Sequence, residues 1–227
     1  MNDPIAVAAD RPDDLPSYRR VAAQLRQEIL DGYLPAGSWL RLQSIAQRLE
    51  VSIQPVREAL QQLEGEGLLQ ILPNRGAQVR GIDRQRLINL FEIRAALEPM
   101  LAARFCEECT MSDIRRIEAV QARHDACVLA RDRPGTSAAN LEFHHLINIG
   151  ARNEDARLIV ERYYDLNRSL HAHQPVPADF DQLAGHHHEL IAAFRRRDPA
   201  AAREIGRAHV RQTMDVLVEF WSDGRPA

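Results

Sequence analysis

Apolar residues recur with the 3.6-residue period of an amphipathic helix along most of this chain. The first such segment covers residues 17–30, and Asp31 and Gly32 mark its end. Two shorter helices are predicted at residues 42–49 and 54–64, the second with Ser52 as N-cap and Pro55 in its first turn. Two helices joined by a tight turn form a helix-turn-helix unit.

The period changes to that of β-strands directly after the third helix. Residues 68–72 and 77–80 form two β-prone runs, and Pro73, Asn74 and Gly76 between them are turn residues. A hairpin that follows the second helix of a helix-turn-helix unit is a wing. The order of these elements therefore predicts a winged helix-turn-helix domain over residues 16–80.

From Asp83 onward the pattern is helical throughout, with breaks near residues 109–113, 131–137, 150–155, 174–180 and 195–201. These breaks divide residues 81–227 into about six helices, the last of which starts with Asp198 as N-cap and Pro199 at the first helical position. The predicted fold class is mostly α: an N-terminal winged helix-turn-helix domain and a C-terminal all-α bundle.

The composition restricts the classes of protein to which this chain can belong. Residues 1–15 are acidic and proline-rich, without the basic start and apolar core of a secretory signal, so we expect a disordered segment at the start of a cytoplasmic protein. No segment has the length and hydrophobicity to span a membrane. Cys106, Cys109 and Cys127 are too few for a disulfide framework or a zinc ribbon, which favours ordinary core or surface positions.

Charge is unevenly distributed along the chain. The net charge is -3, yet residues 16–80 contain eight arginines against six acidic residues, and all 29 basic residues of the chain are arginine. Arginine binds phosphate and carboxylate groups through two parallel hydrogen bonds. The N-terminal segment is therefore compatible with nucleic-acid binding.

Several polar residues fall on apolar stripes of the predicted bundle. Arg94 lies on the stripe of the first helix, where a buried guanidinium requires an anion: either Glu98 one turn later or a bound carboxylate. In the run of histidines at 186–188, His187 has the apolar neighbours of an inward residue. His209 lies on the stripe of the last helix, and Asn140 and His144 share one face of an earlier helix.

One inward histidine is usually an ordinary, hydrogen-bonded core residue. Several neutral imidazoles that converge from separate helices can instead form a site for a divalent metal.

The N-terminal residues resemble the DNA-binding domain of the GntR family of bacterial transcription factors. The resemblance covers residues 17–80 and depends on PVREAL, the LEGEGLL that follows it and the NRGAQV of the wing. It implies that Ser52, Gln54 and Arg57 face the major groove or its phosphates and that Gly76 approaches the DNA at the wing tip. The predicted DNA-binding set is completed by Ile53, Arg41, Arg48 and Arg75.

The chain departs from this family pattern at a few positions. Most relatives have arginine at the position of Ile53 and glycine at that of Glu50, and glutamate or arginine is common near Leu42 and Gln43. The operator sequence of relatives therefore does not transfer to this chain. Ile53 is suited to contact a thymine methyl group instead.

Residues 84–222 resemble the FCD domain of the FadR-type branch of the same family. The resemblance lies in Asn140 and His144 at their spacing of four, in His187 and in His209. It implies a divalent metal, most often zinc or nickel, with these four residues as ligands, and a small carboxylate effector bound by Arg94 and the metal. Asparagine replaces the commoner aspartate, which leaves the site more positive.

Together these features predict a transcriptional regulator and repressor that binds a palindromic operator as a homodimer, controlled by an organic acid and not acting as an enzyme. A metal-dependent enzyme on a helical bundle is the alternative, although no H-E-x-x-H helix is present. A third possibility is a helical scaffold with a disused DNA-binding unit.

Overall fold

The fold is that of a computed structural model, which describes the backbone of residues 16–73, 75–81, 83–171 and 180–222 and their side chains except at 165–171, 180–184 and 220–222. The chain divides into two compact units, the first formed mainly by the residues up to Gly81 and the second mainly by the residues after it. The segment 1–15, expected to be disordered, lies outside the described residues.

The first unit contains three helices and a small sheet. In chain order these are α1 Ser17–Leu30, β1 Trp39–Leu40, α2 Leu42–Arg48, α3 Ile53–Gly65, β2 Leu69–Leu72 and β3 Gly76–Val79. The sheet is antiparallel with β3 in the middle: Gln78 pairs with Trp39 of β1 on one side and with Gln70 of β2 on the other. The predicted winged helix-turn-helix is confirmed, with a third short strand added.

The core of this unit comes from the predicted apolar faces. Leu25 and Ile29 of α1 and Val56 and Leu63 of α3 are almost fully buried. Burying an aliphatic side chain of this size contributes about 1.5–3 kcal/mol each, so these faces hold α3 against α1.

Gly76 and Glu50 are two of the residues of the first unit that have left-handed backbone conformations. Gly76 has φ +93°, and a Cβ atom there would lie 2.7 Å from the carbonyl oxygen of Leu40, so no side chain fits between β3 and β1. Glu50, in the turn between α2 and α3, has φ 53°, which costs a non-glycine residue about 1–2 kcal/mol. Glycine, which has no Cβ atom, adopts this conformation without that cost.

The second unit consists of six helices within the described residues: α4 Arg84–Glu108, α5 Met111–Leu129, α6 Arg133–Gly150, α7 Glu154–His171, α8 Phe180–Arg196 and α9 Pro199–Ser222. The all-α prediction and the number of helices are confirmed. Part of the predicted break at 174–180 lies outside the described residues.

Local caps explain where these helices begin. Thr110 and Asp113 form a capping box at the start of α5, and the Asp83 carboxylate accepts a hydrogen bond from the Arg86 amide at the start of α4. At the start of α9 the Asp198 carboxylate accepts from the Ala201 amide at 2.9 Å, as its predicted role as N-cap requires.

The bundle core brings α4, α6, α8 and α9 together. Phe105 and Phe194 contact edge to face with ring centroids 4.7 Å apart, and Phe143 is fully buried beside them in the same core. Gly206 lets α9 lie close to α4, since a Cβ atom there would lie 3.4 Å from the Cα of Pro99. This close approach places His209, one turn later, at the bundle interior.

Cys106 and Cys109 are buried in this unit, Cys127 is half-buried, and all three are free thiols. Among the described helices, none combines the length and the apolar character needed to cross a membrane.

Candidate functional site

The start of α3 exposes polar and apolar side chains around free backbone N–H groups. Ile53 is 43% exposed, and Ser52, Gln54 and Arg57 are also exposed. Ser52 has the extended conformation of an N-cap, but its hydroxyl does not cap the helix. The Gln54 amide donates to the Glu58 carboxylate at 2.8 Å. This surface therefore offers hydrogen-bond donors and one apolar group to a ligand.

The predicted DNA-binding arginines lie in different local settings. Arg48 of α2 binds both carboxylate oxygens of Glu28 of α1, at 3.0 and 2.8 Å. Arg41 is exposed just before α2, and Arg75 is exposed in the turn between β2 and β3. Through its ion pair with Glu28, Arg48 links α2 to α1.

Three histidines from three helices meet inside the second unit. His144 of α6, His187 of α8 and His209 of α9 are buried, and one nitrogen from each lies within 4.8 Å of the others. The Nε2 atoms of His144 and His209 are 3.2 Å apart, close to the edge of about 3.3 Å that a tetrahedral zinc site with Zn–N bonds of about 2.0–2.1 Å produces. His187 Nε2 is buried without a hydrogen-bond partner.

The cluster favours neutral imidazoles. Burial, followed by the adjacent His187, holds the pKa of His144 well below its ordinary value. Burial and then the neighbouring histidine of the cluster also lower the pKa of His187 and of His209. Neutral imidazole is the form that binds a divalent cation, so these side chains fit such a metal without losing protons.

Aromatic residues hold the imidazole rings in place. The Phe143 ring stacks on His187 with centroids 4.1 Å apart, and the Tyr164 ring stacks on His144 at 5.6 Å. Burial, followed by the Glu98 carboxylate, raises the pKa of Tyr164 well above its usual range, so its hydroxyl stays protonated.

Arg94 and Glu98 form a buried ion pair on α4. Arg94 Nε lies 2.5 Å from one carboxylate oxygen of Glu98, and the guanidinium lies over the Phe91 ring at 4.5 Å and the Tyr164 ring at 4.8 Å. Burial works against the charge on Arg94, but the Glu98 carboxylate more than offsets it, and the pKa of Arg94 lies above its ordinary value. The sequence offered two partners for Arg94, Glu98 or a bound carboxylate, and in the structure its partner is Glu98.

A small cavity connects this ion pair with the histidines. Its lining residues are Glu98, Ala102, His144, Ile147, Asn148, Leu190, Gly206 and His209. Asn148 is 3% exposed, and its amide nitrogen has no hydrogen-bond partner. The cavity therefore combines imidazole nitrogens, a carboxylate and a free amide donor.

Comparison with known proteins assigns both units. Residues 17–79 match the family described as bacterial regulatory proteins, gntR family, and residues 89–212, more than half of the chain, match the FCD domain. The chain belongs to the GntR family. Because both matched families contain transcriptional regulators, this GntR protein is a DNA-binding transcriptional regulator and not an enzyme, and the metal-dependent enzyme is excluded as an interpretation.

Individual relatives agree with this assignment. The regulator is 26% identical over 207 residues to the HTH-type transcriptional repressor GlaR of Escherichia coli (strain K12), covering 85% of this chain and 92% of the relative. It is 22% identical over 209 residues to the gluconate operon transcriptional repressor of Bacillus subtilis (strain 168), covering 89% and 85%. The solved structure of E. coli McbR/YncC has the same fold, with a TM-score of 0.75 and 21% identity over 91% of this chain and 99% of that one.

The structure brings together three of the four predicted metal ligands of this GntR regulator. Asn140 is half-buried on α6, one turn before His144, and its place among the ligands stays a prediction. The neighbours of His187 in the triplet differ from it: His186 is half-buried, and His188 is exposed.

Two residues of this region were not singled out from the sequence. Gln121 is 1% exposed on α5, and its amide oxygen lies 2.9 Å from His187 Nδ1. Asn148 follows His144 by four residues on the same face of α6. Their position on apolar helix faces is the signal that could have identified them, because a polar residue there requires a partner.

Proposed function

We propose that this GntR regulator is a repressor that binds a palindromic operator as a homodimer, and that its FCD domain binds a divalent metal and a small carboxylate effector. The observation that carries the proposal is the buried cluster of His144, His187 and His209. The names of two relatives, the GlaR and gluconate operon repressors, favour repression over activation.

The exposed start of α3 supports a role in the major groove. Backbone N–H groups at a helix N-terminus bind phosphate, and an arginine one turn into the helix can pair with guanine O6 and N7. Ile53 would contact a thymine methyl group beside it. Arg41, Arg48 and Arg75 would bind phosphates, with Arg48 keeping its partner Glu28.

The histidine cluster supports the metal. Three neutral imidazoles leave positions open on a divalent ion, and Asn140 would supply an oxygen to one of them. The bound metal would act as a Lewis acid that attracts an oxygen anion. Zinc and nickel are the ions that best suit this set of ligands.

Charge balance supports a carboxylate as the effector. Neutral ligands would leave the full charge of a divalent ion inside the bundle, and the adjacent Arg94 is already balanced by Glu98. An anion is therefore required to neutralise the buried site. The unpartnered amide nitrogen of Asn148 would donate a hydrogen bond to an oxygen of that anion, and Arg94 would contact its other end.

Effector binding would control the operator through a shift between conformations. An acid that binds one conformation of the FCD domain more tightly lowers the population of the other. A coupling of about 1–3 kcal/mol changes operator affinity about 5–150-fold.

Elemental analysis of untagged protein tests the metal site. We expect near-stoichiometric zinc or nickel in the wild type, and its loss in His144→Ala, His187→Ala and His209→Ala, because each removes one of three converging nitrogens. His186→Ala and His188→Ala are the matched controls and should keep the metal. A wild type that stays metal-free after supplementation would refute this part of the proposal.

Operator binding tests the role assigned to Arg57. With an operator selected in vitro by the wild-type protein, Arg57→Lys should lower specific affinity by about 1–3 kcal/mol, because lysine keeps the charge but loses the paired hydrogen bonds to guanine. Fluorescence anisotropy over a range of salt concentrations measures the loss. Arg75→Ala, which removes a proposed phosphate contact, should instead reduce the salt dependence and weaken all sequences alike. If Arg57→Lys and Arg75→Ala changed the specific affinity and its salt dependence in the same way, the assigned roles would be contradicted.

A further inference from the structure

Gln121 of α5 lies between a histidine of the cluster and a carboxylate near the protein surface. Its Oε1 is 2.9 Å from His187 Nδ1, and its Nε2 is 2.7 Å from the Asp125 carboxylate. Gln121 is 1% exposed, whereas the Asp125 side chain is 36% exposed. The glutamine thus connects the buried cluster with the outside of the bundle.

The carboxylate determines which way the Gln121 amide points. An ionised carboxylate only accepts hydrogen bonds, so the NH2 group of Gln121 must face Asp125. The amide oxygen then faces His187 and can only accept. The hydrogen bond is satisfied when His187 Nδ1 carries the proton, and a neutral imidazole protonated at Nδ1 has a free lone pair at Nε2.

A second contact restricts the ring without choosing between its edges. Phe143 stacks on His187 with planes 13° apart, which fixes the plane of the imidazole. A 180° flip of the ring about its Cβ–Cγ bond would keep that plane but would exchange Nδ1 with the carbon Cδ2. The hydrogen bond between His187 Nδ1 and Gln121 distinguishes the two orientations of the ring.

We infer that Gln121 is a positioning residue for the metal site: its amide holds His187 as the Nδ1-protonated tautomer, with the Nε2 lone pair directed at the ion shared with His144 and His209. The inference rests on the metal site proposed above. The next residue of the histidine triplet belongs to the same chain of contacts, since His188 Nε2 lies 3.2 Å from the second oxygen of Asp125.

The simpler interpretation is that Gln121 is an ordinary polar residue of the core whose hydrogen bonds are all made. In that case its removal would lower stability and leave the intrinsic metal affinity unchanged. A positioning residue behaves differently, because partners that orient a ligating histidine typically change metal affinity about 10–100-fold.

Zinc affinity of the full-length protein, measured by competition with a chromophoric chelator, separates these interpretations. We expect Gln121→Met, which keeps the length of the side chain but replaces the amide with a weakly accepting thioether, to weaken zinc binding about 10–100-fold. Gln85→Met removes a glutamine with the same i to i+4 contact at an exposed position of α4 and should leave the affinity unchanged. The double variant Gln121→Glu with Asp125→Asn, in which the introduced carboxylate accepts from His187 and from the introduced amide, should restore it.

The tautomer provides a readout that does not need a metal. In metal-free protein labelled with 15N-histidine, the His187 imidazole should show a protonated Nδ1 and an unprotonated Nε2, and this preference should be lost in Gln121→Met. A wild-type His187 protonated at Nε2, or a zinc affinity unaffected by Gln121→Met, would overturn the inference even if zinc binds. Wild-type protein with the expected tautomer but without zinc binding would refute the metal site while leaving the orientation by Gln121 in place.

Discussion

Replacing Glu98 with alanine should lower the free energy of unfolding by about 3–5 kcal/mol, because it leaves the buried guanidinium of Arg94 without its carboxylate. Arg94 is 3% exposed and lies between the rings of Phe91 and Tyr164, so the loss of its partner leaves a buried charge unpaired. Urea denaturation of metal-free protein at neutral pH, followed by circular dichroism, measures the change.

Two controls separate this effect from a general weakening of α4. Replacing both charges, Arg94→Met with Glu98→Leu, should recover most of the lost stability, since a buried ion pair can often be exchanged for apolar residues at little cost. Glu204→Ala breaks the exposed pair with Arg207 on α9 and should cost less than about 1 kcal/mol. A Glu98→Ala variant no less stable than Glu204→Ala would contradict the buried pair.

Metal-free protein should lose about 4 kcal/mol of stability between pH 7.5 and pH 5.5 through His144, His187 and His209. Burial holds the folded-state pKa of each histidine well below its ordinary value, whereas the unfolded chain titrates near pH 6.5. Below that pH the unfolded state binds more protons than the folded state, so acid favours unfolding. The stability is fully present above about pH 7 and falls as pH drops, and each of the three histidines contributes about one third of the loss.

Urea denaturation at the two pH values, with a chelator present, tests this prediction. A leucine at any one of the three positions should reduce the difference between the pH values by about one third. Val210→Ala, next to His209 on α9, creates a cavity without changing a titrating group and should lower stability equally at both pH values. A wild type with the same stability at pH 7.5 and 5.5 would show that the three imidazoles take up protons freely in the folded protein.

Sequence patterns predicted the elements whose signals are local. The bounds of α1 and the start of α9 at Pro199 were correct because helical periodicity and capping residues act within one or two turns. The inward position of His144, His187 and His209 followed from the same apolar stripes. Their convergence required only that each stripe face the bundle interior.

Features that depend on distant partners were missed. Strand β1 has two residues, Trp39 and Leu40, too few for a periodic pattern, and it forms only by pairing with β3. For Arg94 the sequence left open whether Glu98 or a bound carboxylate is the partner, and the packing inside the bundle decides for Glu98. The contact between Gln121 and His187 joins residues 66 positions apart on different helices, so nothing near either residue predicts it.

The hydrogen bonds from His187 through Gln121 end at Asp125, which is partly accessible to solvent. In the proposed metal site, a different metal affinity would therefore not require a different ligand. Substitutions at Asp125 would loosen or tighten the hold on the Gln121 amide in small steps, and evolution could adjust that affinity from the surface while the buried histidines stayed the same.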